Sequence, residues 1–379
     1  MDIQDYRTQI DEIDRELIKK MEERMRISEK IAQYKDENGL RILDPVRERK
    51  LLDRVQEQSS PDLAYYNRML FSSIMEMSRD HQVRTLNKST PLTEQIMDAI
   101  ENTPKTFPEA PSVACQGVQG AYSQQACDKM FKMPVIMYMK NFRGVFAAID
   151  AGLCHYGVLP IENSTAGSVN QVYDLMQEYH FHIVRSMRIR IDHCLLVNSG
   201  TNKEDIKDIY SHEQALSQCE DYLKHFPMAT LHVCENTAEA AKMVAESGRH
   251  DAAAIGSVEN GELYGLECLE ESIQDRDNNY TRFICIAKDL EIYPGADRTS
   301  IMIVLRHEAG SLYQAMARFN AMGINLLKLE SRPLPSREFE FMFYFDIEES
   351  VYTEAFAQMI NQLQEMSLEF RYLGSYEEY

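Results

Sequence analysis

From Ile3 to Tyr34 apolar residues recur every seven positions: Ile3, Ile10, Leu17 and Ile31 hold one heptad position, Tyr6, Ile13, Ile27 and Tyr34 the other. A stripe of that period belongs to one long helix, and such a helix leaves the stripe in water unless another covers it. The chain is therefore expected to open with an all-α unit that dimerises through its first helix. The helical pattern runs from Asp2 to about Asn87, with further helices near Val46 to Gln58 and Leu63 to Leu86.

Arg24 falls where Ile10, Leu17 and Ile31 stand elsewhere on the stripe. A guanidinium on a core stripe is costly without an anionic partner. A buried Asp or Glu would supply one, and so would a ligand. Lys35 lies three turns on, about 16 Å away on nearly the same face, so a small ligand fits between the two. Arg7 lies about 26 Å before Arg24, too far to serve that pocket except from a partner chain. In Asp44-Pro45-Val46-Arg47-Glu48, Asp44 reads as a helix N-cap and Pro45 as the first helical residue, which is compatible with a ligand role for its neighbours.

The pattern then changes. Ser89 to Pro111 carries Pro91, Pro104, Pro108 and Pro111 around one short helical piece, Thr93 to Glu101, as in a linker. Beyond it come strand-loop-helix units: Ser112 to Cys115 before Gly117, Gly157 to Ile161 before the Glu162 to Ser168 loop, and Ala252 to Ile255 before Gly256-Ser257. Such units build α/β domains with ligand loops at strand ends. A second break stands at Tyr293-Pro294-Gly295. There follow a strand (Ser300 to Leu305), a helix (Ser311 to Met322), two strands (Asn325 to Arg332, Phe339 to Ile347), a helix (Val351 to Met366) and a strand near Arg371. That is the βαββαβ order of a ferredoxin-like α+β sandwich. The expected partition is 1–88 all-α, 89–110 linker, 111–290 α/β and 298–379 α+β.

A formal net charge of −20 argues against nucleic acid or an anionic membrane as partner, because phosphates call for a basic surface. The opening residues are charged and amphipathic, unlike a signal peptide, and no run approaches the roughly 20 apolar residues of a membrane span. Eight cysteines without a C-x-x-C pair fit neither a zinc site nor a disulfide framework, and read as reduced thiols in a cytoplasm. No metal and no cofactor is expected.

Arg7, Arg24, Lys35, the Asp44 to Glu48 segment, and Ser78 with Gln82 one turn on resemble the active-site set of the all-helical chorismate mutases, which form intertwined dimers. The resemblance implies a Claisen rearrangement of chorismate to prephenate, driven by positioning and charge stabilisation. It implies that Arg24, Arg47 and a partner chain's Arg7 hold two carboxylates and that Lys35 and Gln82 donate to the ether oxygen. Glu48, with Asp44, would accept from the substrate hydroxyl, and Ser78 would line the pocket.

In the middle region, Gly117-Val118-Gln119-Gly120-Ala121-Tyr122-Ser123 follows a strand and opens a helix, where backbone N–H groups could meet an anion. It lacks the G-x-G-x-x-G spacing of a dinucleotide fingerprint. Four motifs, Pro160 to Val169, Ser211 to Cys219, Ala254 to Ser257, and Asn278-Asn279-Tyr280-Thr281-Arg282-Phe283, resemble those of the prephenate dehydratases. That family implies two subdomains arranged like a periplasmic binding protein, the second, about Ile191 to Gly265, inserted in the first. Its reaction expels CO₂ and hydroxyl from prephenate to give phenylpyruvate. Thr281 takes the position of the acid or hydrogen-bond donor at the leaving hydroxyl. Asn163, Ser164, Ser211 and Gln218 would bind and orient, and Arg282 would balance a carboxylate or the acidic residues of the cleft. Glu162 and Glu235 remain acid candidates. Simpler readings stand beside these: Asn163 and Ser164 as helix caps, His212 as a structural hydrogen-bonder. Ala121 and Glu213 depart from the family's usual Thr and Pro.

The last region, with Glu330-Ser331-Arg332-Pro333 after Gly323-Ile324-Asn325-Leu326, resembles the ACT domains attached to these dehydratases. The resemblance implies a phenylalanine effector at Gly310, Ser311, Leu312, Asn325, Leu326, Glu330, Ser331 and Arg332, with feedback on the dehydratase. Ser311 and Tyr313 depart from the family's Pro-Gly-Ala-Leu loop, and a purely structural dimerisation sandwich is the alternative. The expected whole is a mutase-dehydratase fusion acting on chorismate and prephenate as a homodimer or higher homo-oligomer. A mutase fused to a prephenate dehydrogenase lacks its nicotinamide-binding glycine loop here. A non-catalytic amino-acid-binding regulator riding on a mutase is the rival of another class.

Overall fold

The structure, a computed structural model, describes residues 2–86, 90–334 and 340–379. Asn87 and Ser89, where the helical pattern ends and the expected linker begins, and Phe339, the expected start of a strand, lie outside the described residues. The chain forms two compact units, one running to Glu94 and including Ala357–Met366, the other Gln95–Phe356 and Ser367–Tyr379.

The first unit is helical. α1 (Ile3–Glu37) starts at a capping box in which the side chains of Asp2 and Asp5 satisfy each other's backbone N–H groups. α2 (Pro45–Gln58) starts as its sequence requires, with Asp44 Oδ1 accepting from the Arg47 N–H at 3.0 Å and Pro45 in the first turn. α3 (Ala64–Leu86) packs against both. Only Ser28 and Ala32 of α1 are buried, and Ile3, Tyr6, Ile10, Ile13, Leu17, Ile27, Ile31 and Tyr34 stay exposed in the single chain. α4 (Pro91–Asn102) spans the division between the units.

The second unit begins with β1 (Ser112–Gln116), α5 (Tyr122–Met130), β2 (Val135–Met139), α6 (Phe142–Asp150), β3 (Tyr156–Asn163), β4 (Gly167–Ser168), α7 (Asn170–Tyr179) and β5 (His182–Arg190). The chain then leaves to build an inserted lobe: β6 (Cys194–Val197), β7 (Asp208–His212), α8 (Glu213–Gln218), α9 (Glu220–Leu223), β8 (Thr230–Cys234), α10 (Thr237–Ser247), β9 (Ala252–Gly256), α11 (Val258–Tyr264) and β10 (Glu267–Glu270). It returns through β11 (Tyr280–Ala287), which inserts antiparallel between β3 and β5. The first-lobe sheet has the order β2-β1-β3-β11-β5 with β4 beside β3, and the inserted sheet β10-β6-β9-β7-β8. Two crossings, one before β6 and one before β11, therefore join two α/β lobes.

Then follow β12 (Arg298–Val304), α12 (Ser311–Ala321), β13 (Asn325–Pro333), β14 (Phe341–Glu348), α13 (Glu354–Met366) and β15 (Glu369–Tyr376), with an antiparallel sheet in the order β13-β14-β12-β15. This sheet is no bead on a string. Met302, Val304, Met342, Tyr344 and Leu373 share one apolar core with Val145, Leu159, Tyr173 and Ile284 of the first lobe. Gly374 (φ +137°) permits the approach, since a Cβ there would stand 2.2 Å from the Ile183 carbonyl oxygen. The expected linker and second break are also packed: Phe107 stacks on Phe131 at 5.0 Å between ring centroids, and Tyr293 is buried. Aromatic side chains anchor these two points of the proline-bearing segments on the lobe. No helix among the described residues is long and apolar enough to cross a membrane.

Candidate functional site

In the helical unit Arg24 is half-buried, and burial lowers its pKa from the ordinary value. Its guanidinium donates to Ser78 Oγ and, at 3.5 Å, to the Ile74 carbonyl, but no carboxylate among the described residues pairs with it. Ser78 and Gln82 are buried on α3, and Gln82 Nε2 donates to Ser28 Oγ at 2.8 Å while its Oε1 has no partner among the described residues. Lys35 folds back onto the Ile42 carbonyl. Arg7 and Arg47 are exposed, with no side-chain partner among the described residues. Glu48 is held by Arg79, a cation the sequence reading passed over, and Asp44 caps α2, the N-cap role its sequence suggested.

Between the two lobes of the α/β unit lies a cavity of about 410 Å³ lined by, among others, Tyr122, Ser123, Phe142, Asn163, Val169, His193, His212, Gln214, Gln218, Glu235, Asn236, Thr237, Thr281 and Phe283. It adjoins a more polar hollow of about 630 Å³ that shares His212, Gln214 and Gln218 and carries Glu213, Glu220, Asp275 and Arg276. No lysine or arginine stands among the described lining residues of the inner cavity. Helix starts take their place: the first residues or caps of α5, α6, α7, α8 and α10 all reach it. α5 and α7 begin without a side-chain cap, at Ala121 and Val169, so the N–H groups of their first two residues are available to an anion.

Thr281 is 9 % exposed, and its Oγ1 accepts from Asn163 Nδ2 at 2.9 Å. Its own proton is then left for the cavity. Asn163 Nδ2 also donates to Asn279 Oδ1 at 2.9 Å, and Asn279 Nδ2 to Gln218 Oε1 at 2.9 Å. His212 caps α8 by accepting from the Gln214 N–H at 3.3 Å, and burial holds its pKa below the ordinary value, favouring the neutral ring.

Several expected ligands face elsewhere. Thr281 and Arg282 are neighbours on a strand, so they project to opposite faces. Arg282, 6 % exposed, pairs with Asp346 and with Glu378 (3.3 Å) and donates to Tyr376 Oη at 2.8 Å, away from the cavity. Ser211 is fully buried and donates to the Ile255 carbonyl at 2.7 Å, joining β7 to β9. Ser164 clamps the return crossing, donating to the Asn278 carbonyl at 2.7 Å and accepting from the Tyr280 N–H at 2.9 Å. Glu162 is paired with Lys328 of β13 at 2.7 Å. Glu235, the other acid candidate, does line the cavity. Among the described residues no group of three or more His, Cys, Asp or Glu is placed to hold a metal ion.

These two sites coincide with two family models, chorismate mutase type II over residues 6–83 and prephenate dehydratase over residues 113–291. The bifunctional chorismate mutase/prephenate dehydratase of Enterobacter agglomerans is 32 % identical over 98 % of this chain and 94 % of its own length. The chain belongs to the bifunctional chorismate mutase/prephenate dehydratase family. The arogenate dehydratase/prephenate dehydratase 2 of Arabidopsis thaliana is 36 % identical over 79 % of this chain and 82 % of that protein. Among solved structures, the prephenate dehydratase of Arthrobacter aurescens in complex with L-Phe matches with TM-score 0.64 and 27 % identity, covering 70 % of this chain and 89 % of that one. GqqA, described as a novel type of quorum-quenching acylase, also matches at TM-score 0.64 with 30 % identity, over 71 % and 98 %.

In this mutase-dehydratase chain the expected effector residues divide. Ser311 and Leu312, which follow Gly310 at the start of α12, line a hollow of about 310 Å³ with Leu305, His307 and Phe343. On β13, Glu330 accepts from Ser168 Oγ at 2.5 Å and Arg332 grips Asp174 through two bonds of 3.0 and 2.9 Å. Leu326 shares their half-buried face, whereas Asn325 and Ser331 are exposed, Asn325 donating to Glu348 at 2.8 Å. The sequence reading missed His193 altogether and gave Asn279 no role. An isolated histidine between two apolar strands was the available signal.

Proposed function

We propose that the helical unit rearranges chorismate to prephenate and that the interlobe cavity converts prephenate to phenylpyruvate. For the first step the carrying observation is Arg24, a half-buried cation with no carboxylate partner among the described residues. A dianionic substrate supplies what it lacks, and forked contacts from Arg24, Arg47 and a second copy's Arg7 fix its carboxylates. Lys35 and the Gln82 amide donate to the ether oxygen as its bond breaks. Ser78 orients Arg24, and Glu48, held by Arg79 through one oxygen, offers the other to the substrate hydroxyl. Asp44 supports this segment as a cap. The uncovered α1 stripe supports a homodimer in which two copies bury it against each other.

For the second step the observation is the Thr281 hydroxyl, which accepts from Asn163 and so has its proton to spare. Prephenate takes up one proton and releases CO₂ and water, leaving an aromatic ring. Thr281 hydrogen-bonds the departing hydroxyl, acting as a donor because its pKa is too high for full transfer. Asn163 and Gln218 orient, and the uncapped helix starts hold carboxylate charge. The C-terminal sandwich reads as a ferredoxin-like, ACT-type phenylalanine sensor, supported by its hollow at Ser311 and by the L-Phe complex of the Arthrobacter dehydratase. Among the described residues all eight cysteines are free thiols, in keeping with a cytoplasmic enzyme.

The test is product analysis of the purified chain given chorismate alone, with and without phenylalanine. Phenylpyruvate without added cofactor is the expected product, suppressed by phenylalanine. Accumulating prephenate would reduce the α/β unit to a binding module, and phenylpyruvate formation indifferent to phenylalanine would remove the sensor.

A further inference from the structure

His193 lies in the first crossing between the lobes, is 2 % exposed and lines the inner cavity. Its backbone N–H donates to Gln274 Oε1 at 2.8 Å, which ties the first crossing to the second. The ring meets Tyr122 edge-on at 6.4 Å between centroids, and Nε2 stands 3.1 Å from Gln218 Oε1. Nδ1 is buried without a hydrogen-bond partner among the described residues.

Which nitrogen carries the proton follows from groups whose polarity is fixed. The backbone N–H groups of Thr165 and Ala166 can only donate, and both reach Asn163 Oδ1, at 3.0 and 2.8 Å. Asn163 must therefore turn its Nδ2 toward Thr281 Oγ1 and Asn279 Oδ1. Asn279, accepting with its oxygen, donates with its nitrogen to Gln218 Oε1. His193 must then meet that oxygen with Nε2–H, which leaves Nδ1 bare, as its lack of a partner requires. Burial, the largest influence, also holds the ring's pKa below its ordinary value, against opposing effects of Gln218 and Asp192.

We propose that His193 is a positioning residue for the dehydration step: its Nε2–H ends the amide relay Gln218–Asn279–Asn163 and so keeps the Thr281 proton aimed into the cavity. Gln218 comes from the inserted lobe and Asn163, Thr165 and Thr281 from the first. The relay as a whole is complete only while the two lobes are together. The inference rests on the dehydratase reading of the cavity.

The test compares His193→Leu with His193→Gln in the full chain, following prephenate turnover, mutase turnover and thermal midpoint. His193→Leu should lower the dehydratase kcat about tenfold, the worth of one buried hydrogen bond, with KM and mutase rate little changed. His193→Gln, which can present an N–H at the same place, should recover most of that loss. A leucine variant with unaltered kcat, a loss confined to KM, or a glutamine variant no better than leucine at equal thermal midpoint would each overturn the proposal. The imidazole tautomer of the wild-type chain, read by ¹⁵N NMR, decides it without turnover: a proton on Nε2 supports the relay and a proton on Nδ1 sinks it. A wild-type chain inert toward prephenate would instead sink the dehydratase reading, with the tautomer still deciding the relay.

Discussion

The two candidate sites are built by opposite means. In the helical unit cations predominate, led by Arg24, which lies half-buried with no carboxylate partner among the described residues. In the α/β cavity, helix starts and neutral amides line the walls, with no lysine or arginine among the described lining residues. The contrast fits the chemistry proposed for each. A rearrangement keeps both carboxylates from start to finish, so fixed cations serve the substrate and the transition state, and the gain lies in orientation and in the ether oxygen. A decarboxylation consumes a carboxylate, and a fixed cation beside it would favour the ground state over the departing CO₂. Partial charges at helix ends are a gentler hold.

The sharpest way to break this comparison is to disable each site in turn. Thr281→Val should lower dehydratase kcat by about 10²–10³-fold, the usual worth of a positioned hydrogen-bond donor to developing charge, with the mutase rate unmoved. Turnover within a fewfold of wild type would return the cavity to a binding role. Arg24→Ala should cost the mutase about 10²–10³-fold and leave prephenate turnover intact. A chorismate assay showing less than a tenfold loss would mean that the guanidinium serves packing. Because Arg7 is assigned to the neighbouring copy's site, mixing Arg7→Ala with Arg24→Ala chains should restore up to about a quarter of the mutase rate. In a random mixture half the dimers are hybrids with one intact site each. Hybrids that demonstrably form yet stay inactive would make Arg7 a surface charge.

Legibility in the sequence followed the same division. The helical unit could be read nearly to its ends, because a heptad, an Asp-Pro helix start and a misplaced arginine are local signals: α2 was expected from Val46 and begins at Pro45. The βαββαβ order was legible from strand and helix periods alone. What hid was pairing across long sequence separations. Nothing near Glu48 announces Arg79, nothing near Ser211 announces the Ile255 carbonyl, and nothing near Arg282 announces Asp346 and Glu378. Arg282 is the most instructive case. It stands beside Thr281 in the most specific motif, and strand alternation turns it to the opposite face.

That face carries the next test. Asp346, 1 % exposed, receives Arg282 and Ser300 in the shared region of the first lobe and C-terminal sheet. Asp346→Ala leaves the buried Arg282 guanidinium with Glu378 as its one carboxylate partner among the described residues, and should destabilise the α/β unit by about 3–5 kcal/mol. A thermal or denaturant midpoint near wild type would show that Glu378 suffices.

The smallest effect concerns pH. Burial lowers the pKa values of His182, His193 and His212, so the folded chain refuses protons that the unfolded chain accepts below about pH 6.5. Wherever the unfolded state binds more protons, stability rises with pH. The contribution of these rings is therefore fully present above about pH 6.5 and is lost as pH falls toward their folded values. Each refused proton is worth at most about 1.4 kcal/mol per pH unit in that window. Carboxylates add their own acid dependence, so the informative quantity is a difference: His193→Gln should lose less stability than wild type between neutral and mildly acidic pH. Parallel stability curves for the two chains would mean that His193 takes up its proton in the fold, which would also undo the bare Nδ1 on which the relay's polarity depends.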